Sequence, residues 1–241
     1  MERQAYNFLV QAEHSWWYIA RRRFIERMLN GTPKVEGPAL DFGAGFGACH
    51  PLLAQYCSAV DAFEMDTEAL RGCAARGYRT ATHDWHKVGD SYALVGAFDV
   101  IEHLGNDVLW LRDIYTHMQE GGTLALSVPA FPWMWSEHDV LHKHFRRYTK
   151  KSITNALGAA GFTVVRATYW NFFLFPVALV LRLLGKGGGD NLSPGAPVNW
   201  LLHTILGLES RLVPSLSLPW GTGIIVIAQK PARGILRSDQ R

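Results

Sequence analysis

Two groups of residues in this 241-residue chain have the types and spacing to do chemistry. The first is an ordered series of acids and glycines. Asp41 stands two residues before Gly43-Ala44-Gly45-Phe46-Gly47. Glu64 lies 17 residues beyond Gly47, and Asp84 and then Phe98-Asp99 follow. Glycines let a chain turn sharply and let a ligand touch backbone. Their spacing here is GxGxG, not the GxGxxG of pyrophosphate-binding folds. An acid placed as Glu64 is can accept hydrogen bonds from both hydroxyls of a ribose, and Asp84 can reach an adenine amino group.

The second group is rich in histidine. His138, Asp139, His142 and His144 fall within seven residues, ahead of Arg146-Arg147-Tyr148-Thr149. Three readings compete. One is a general base, His138 oriented by Asp139. Another is a metal site, but these histidines lack a second half, so no metal is expected. The third is a capping loop whose histidines are surface or hydrogen-bonding residues. His103, soon after Asp99, could equally face an acceptor. Trp135, Arg146 and Tyr148 are assigned to acceptor binding. The basic pair would hold an anionic group such as a phosphate, or else is a solvated charge run ahead of a helix.

These residues need a scaffold that brings them to one edge. From residue 39 to 168 short apolar runs alternate with amphipathic ones, the pattern of βαβ units and an α/β fold with a parallel sheet. Expected strands are Ala39–Phe42, Ala59–Phe63, Arg79–Thr82, Ala93–Phe98, Thr123–Val128 and Phe162–Thr168, with a last one at Gly223–Gln229. Expected helices are Gly47–Tyr56, Thr67–Arg76, Asp107–Gln119 and Thr149–Ala160. Thr149 reads as an N-cap, and Gly121-Gly122 and Gly161 read as helix stops. Each chemical residue then falls at the carboxyl end of a strand, where open α/β sheets bind ligands.

With those residues in place, the segment resembles a class I S-adenosylmethionine (SAM)-dependent methyltransferase. Asp41-Phe42-Gly43-Ala44-Gly45-Phe46-Gly47 is similar to that family's first motif, and Glu64-Met65-Asp66 to its second-strand acid. Phe98-Asp99-Val100-Ile101-Glu102-His103-Leu104 resembles the D-V-L-E-H-L segment of the small-molecule, ubiquinone/menaquinone-like branch. Glu120-Gly121-Gly122-Thr123-Leu124 resembles the P-G-G-x-L before the fifth strand. Glu120 replaces the usual proline, and Ala93 stands where an Asp often precedes the fourth strand. The resemblance implies a Rossmann-like seven-stranded, mostly parallel sheet whose last strand is antiparallel. It implies SAM as cofactor and S-adenosylhomocysteine as product. It also implies that Met65, Trp85 and Phe98 flank the adenosine, with Asp41, Gly43, Ala44, Gly45, Gly47, Glu64, Asp84 and Asp99 around the rest. Arg21, or Trp17, is a candidate for the cofactor carboxylate.

The chemistry agrees. SAM carries a sulfonium, an ammonium, a ribose and an adenine but no phosphate, so it needs acids and backbone rather than a basic cradle. Methyl transfer then needs alignment, exclusion of water and, for an oxygen nucleophile, a base.

Composition bounds the rest. The chain is 48% hydrophobic, 19% charged and carries a net charge of +3. That argues against disorder and against a nucleic-acid partner. Cys49, Cys57 and Cys73 are few and suit a reducing compartment, so a cytoplasmic location is expected. No signal peptide or clean membrane span is expected. Charge is unevenly spread: 7 charged residues occupy the 68 from Thr163 to Lys230, against 38 in the other 173. One domain is expected, with a helical cap at 1–36, a SAM-binding core at 37–168, an apolar helical insert at 169–221 and a final strand at 222–230. In the cap, Trp16, Trp17, Ala20, Phe24 and Leu29 follow helical spacing, as a helix packed on the sheet or a lid over its cofactor end. The insert is either two helices packed on the sheet or on a second subunit of a homodimer, or a wall for a lipid-like acceptor with shallow membrane contact. Gly185–Gly189 within it reads as a flexible turn. The expected function is methyl transfer to a small or lipid-linked acceptor, O-methylation favoured. The alternatives are a SAM-binding interaction protein without catalysis and, more distantly, an NAD-dependent oxidoreductase.

Overall fold

Near-continuous apolar runs make strands that can be buried on both faces, and four of them form the centre of the sheet. A computed structural model describes residues 15–32, 36–184, 195–213 and 215–232. Its strands are β1 (Ala39–Phe42), β2 (Val60–Phe63), β3 (Thr80–Thr82), β4 (Tyr92–Phe98), β5 (Met118–Pro129), β6 (Thr163–Trp170) and β7 (Gly223–Gln229). They form one seven-stranded sheet in the order β3-β2-β1-β4-β5-β7-β6. β7 runs antiparallel to both of its neighbours; the other pairings are parallel. The chain reverses its direction of travel across the sheet between β1 and β4, which puts the crevice for a ligand at their carboxyl ends.

The helices are α1 (Trp16–Leu29), α2 (His50–Leu53), α3 (Thr67–Cys73), α4 (Asp107–His117), α5 (Glu137–Leu141), α6 (Lys150–Ala159), α7 (Phe175–Leu183) and α8 (Ala196–Leu212). Thr149 caps α6 as expected: its hydroxyl accepts from Ser152 N at 3.1 Å, in a reciprocal capping box. Gly161, at φ +100°, turns the chain out of α6. Most boundaries shift by one to three residues, and two elements depart in kind. α2 is one turn long and has no side-chain cap. Gly121-Gly122 is not a helix stop. α4 ends at His117, and both glycines lie inside β5, where the register against β4 shifts and Gly121 N bonds to Lys230 O at 2.9 Å. Gly121 has φ +76°, so the pair accommodates an irregular strand.

The core lies on both faces of β1, β4, β5 and β7. α1 buries Ala20, Phe24, Ile25, Met28 and Leu29 and packs against α8 and β7. Trp17 and Phe24 lie against Trp170 at ring-centroid distances of 4.3 and 5.5 Å. The expected insert is therefore two helices, with α8 against α1. Its Gly185–Gly189 turn falls outside the described residues. Among the described residues no helix is long and apolar enough to cross a membrane.

Candidate active site

The glycine turn is shaped by what surrounds it. Gly43, Gly45 and Gly47 all have positive φ, at +73°, +54° and +80°. A Cβ on Gly43 would meet the Val100 methyls at 2.5 and 2.7 Å, whereas one on Gly45 would meet nothing within 4 Å. Gly43 is thus needed by the fold, and Gly45 is the point where a ligand can approach backbone. Gly43 N and Ala44 N both bond to Phe63 O, which ties the turn to the end of β2.

Acids ring that turn. Glu64 accepts from Gly45 N on Oε2 and from Asp66 N on Oε1, each at 2.8 Å. Its carboxylate therefore sits at the open glycine with its remaining lone pairs available. Asp41 is 2% exposed. Burial pushes its carboxyl up to about 6, although the hydroxyl of Tyr78, which donates to it at 2.5 Å, pulls the other way. Asp99, at φ +57°, accepts from Ser127 Oγ at 2.8 Å and is ion-paired with Arg21. Arg21 reaches it from α1 and lies 4.5 Å from the Tyr18 ring centroid. Burial alone would lower the Arg21 pKa, but the charge of Asp99 holds it raised.

α1 therefore packs on the sheet and also delivers a cation to the sheet's ligand edge. Trp17 does not accompany it; its ring lies on Trp170. Asp84 caps the short 3₁₀ turn Trp85–Lys87 and accepts from His86 N at 3.1 Å. Trp85 lies in an aromatic cluster with Phe42, Phe63 and Trp110 at 5.0–5.6 Å. Met65 is 65% exposed beside Glu64, and Phe98 is buried over Gly96. Tyr78 and Ser127 were not singled out by the sequence. Their roles depend on strand pairing (Phe98 opposite Ser127) and on contacts made 37 and 28 residues away.

The histidine segment after β5 is closed on itself. Phe131 N bonds to Tyr148 O and Tyr148 N to Pro129 O. Asp139 is buried and holds the loop: it accepts from Ser136 N at 2.8 Å, from Arg147 Nε at 2.7 Å and meets His144 Nδ1 at 2.9 Å. Burial would raise its pKa, but the hydrogen bonds from His144 and Arg147 outweigh it and hold the carboxyl well below the usual range.

Three expectations are corrected here. Asp139 orients His144 and not His138, whose ring instead lies 4.2 Å from that of His142. Arg146 is not presented to an acceptor anion; it is ion-paired with Asp107 at 2.8 Å and donates to Gly105 O. Tyr148 is buried, and its hydroxyl donates to Asp107 at 2.8 Å. The Arg146-Arg147-Tyr148 run fastens the loop. Trp135 remains exposed on it. His103 closes the 3₁₀ turn after β4, its ring 4.6 Å from that of His144. Desolvation and the His144 imidazole push His103 down to about 4, so it is neutral near pH 7.

Comparison with known proteins follows the geometry. A family model described as "Methyltransferase domain" matches residues 14–167. No curated protein matches the sequence. Among solved structures, an S-adenosylmethionine-dependent methyltransferase from Mesorhizobium loti is similar with a TM-score of 0.58 at 16% identity, over 90% of this chain and 99% of that one. Phosphoethanolamine N-methyltransferase 2 of Haemonchus contortus, solved with S-adenosyl-L-methionine, is similar with a TM-score of 0.56 at 14% identity, over 86% of this chain and 52% of that one. The 4+2 cyclase SpnF is similar with a TM-score of 0.58 at 14% identity, over 90% of this chain and 83% of that one.

Proposed function

The chain belongs to the methyltransferase-domain family, and from that premise we propose that it transfers the methyl group of SAM to a small or lipid-linked acceptor, with oxygen the favoured atom. The observation that carries this reading is the ring of acids around an open Gly45. Glu64 at Gly45 N fits the ribose, Asp41 fits the ammonium, and Asp84, after β3, is assigned to the adenine amino group. Arg21 and Asp99, already paired, close the methionine end. Such a set suits a cationic, phosphate-free nucleoside.

Transfer is an in-line displacement. The S–CH₃ bond breaks as the acceptor–CH₃ bond forms, sulfonium becomes neutral thioether, and a hydroxyl acceptor loses its proton. The chain's contribution is to align and to take that proton at an imidazole, either His138 on the loop after β5 or His103 on the turn after β4, the latter neutral near pH 7. Trp135 lies on the His138 loop. The acceptor's apolar part is met by α7 and α8, whose outer faces carry Leu183 and Trp200 at 77% and 68% exposure.

Incubation with radiolabelled SAM, followed by separation of lipid, saccharide and protein fractions, tests the reading. Label is expected in the lipid or small-molecule fraction. Label confined to protein overturns the acceptor class. Micromolar-range SAM binding without incorporation into any fraction favours the non-catalytic alternative, and calorimetry showing no SAM binding refutes both.

A further inference from the structure

We propose that Glu102, His103 and His144 form a binding site for a divalent transition-metal ion, with Zn²⁺ the best chemical match. Each of the three offers one ligand atom, and these atoms lie within 4.8 Å of one another. Two imidazoles and a carboxylate are a set that suits zinc and neighbouring first-row ions, and three protein ligands leave a coordination position open. Ligands bound at about 2.0–2.1 Å in a tetrahedron stand roughly 3.3 Å apart, so the cluster needs to contract by at most about 1.5 Å.

The backbone already favours that approach. Phe145 N bonds to Glu102 O at 2.8 Å, which pins the residue after His144 to the turn that carries Glu102 and His103.

Glu102 supplies the second observation. It is 1% exposed, and among the described residues neither of its carboxylate oxygens has a hydrogen-bond partner. A buried carboxylate without a partner is costly. The charge of nearby Asp99 adds to that cost. A cation removes the penalty.

The imidazoles are oriented for the task. His144 Nδ1 meets Asp139 Oδ1 at 2.9 Å, which leaves Nε2 for an ion, and Asp139 is held in turn by Arg147. His103 bonds to the His142 backbone through one ring nitrogen, which leaves the other. A carboxylate or carbonyl behind each histidine is the usual support of a metal-bound imidazole. The histidine loop, read alone, lacked a second half for a metal; Glu102 and His103 provide it. The site stands three residues from Asp99, so an ion there could bind an acceptor oxygen at its open position and lower the pKa of a hydroxyl.

The test uses the full chain after chelator treatment, titrated with ZnCl₂ alone by calorimetry and with Co²⁺ by visible absorption, without SAM. Its outcome is therefore independent of the methyltransferase reading. The expected result is one ion per chain and visible Co²⁺ bands. Glu102→Gln and His144→Ala should each weaken Zn²⁺ binding by at least about tenfold, and Asp139→Asn by about 10–100-fold through its hold on the His144 ring. A His138→Ala/His142→Ala double variant should retain the affinity, since that ring pair lies outside the set. Melting curves of the metal-free variants check folding. If the His144 variant does not fold, Glu102→Gln decides, because it changes neither volume nor loop anchoring. No saturable binding by the wild-type chain overturns the proposal. So does Glu102→Gln binding as tightly as wild type, or loss of binding in the double variant alone.

Discussion

Cofactor affinity should fall on acidification through the titration of Asp41, and the size of the fall can be worked from its surroundings. Burial raises this carboxyl from 3.8 to about 6. In the free protein it is then about one-tenth ionised at pH 5 and about nine-tenths ionised at pH 7. An ammonium seated against it returns the pKa to its ordinary range or below. Binding therefore requires ionisation, and Kd should be about tenfold weaker at pH 5 than at pH 7, which is about 1.4 kcal/mol.

The stability of the free fold runs the opposite way. A carboxyl raised in the folded state binds more protons folded than unfolded between 3.8 and about 6. Stability is therefore lost as pH rises through that window, by about 3 kcal/mol in all. Asp41→Asn removes that loss, so it should melt higher than wild type at pH 8 while binding SAM poorly. The assay is calorimetry from pH 5 to 7 in two buffers of different ionisation enthalpy, with about 0.8 of a proton released per SAM at pH 5.5. A flat Kd in wild type, or a slope that persists in Asp41→Asn, refutes the reasoning.

Tyr78→Phe removes the hydrogen bond that lowers the Asp41 pKa, so the midpoint of the same pH profile should move above 6. Gly43→Ala should destabilise the fold more than Gly45→Ala does. Both place alanine at positive φ, at about 1–2 kcal/mol each, but only the first drives a Cβ into Val100. Equal urea midpoints would refute this. Arg147→Met leaves buried Asp139 short of its cation and should cost about 3–5 kcal/mol in urea unfolding. Trp200→Ser and Leu183→Ser should change stability by less than about 0.5 kcal/mol yet reduce label transfer to a lipid fraction; unchanged transfer would remove α7 and α8 from acceptor binding.

Most of the scaffold was legible because its signals are local. β1 and β7 match the expected spans, and Thr149 and Gly161 bound α6 through cap chemistry that acts within three or four residues. The acid–glycine series was legible for the same reason: each member ends a strand. β5 was read too short because Gly121-Gly122 looks like a helix end, and only its pairing with β4 and with Lys230 reveals a strand. The histidine loop misled for a related reason. Asp139 is next to His138 in sequence, but one helical turn and the bend at Lys143 (φ +56°) bring His144 to its carboxylate instead. Arg146 and Tyr148 look like ligand residues, yet both meet Asp107, some 40 residues earlier. Glu102 sits inside a recognisable string, and nothing in the string says that its carboxylate is buried without a partner.

The low charge of the C-terminal quarter separates into parts with different physics. One part is interior: Trp170 lies beneath Trp17 and Phe24, and Glu209, buried on α8, accepts from Phe172 N and Phe173 N and so fastens the turn after β6 to that helix. Replacing such a residue would disturb α1, and through Arg21 the pairing at Asp99. The other part faces outward. α7 buries Phe175 alone, while Leu183 stands 77% exposed, and α8 turns Trp200 outward on the side away from its buried Leu206 and Glu209. Neither core packing nor helix propensity requires large apolar side chains there. Arg182 on α7 donates to Met134 O in the loop that carries Trp135 and the histidines. Anything that docked on α7 would therefore act directly on that loop.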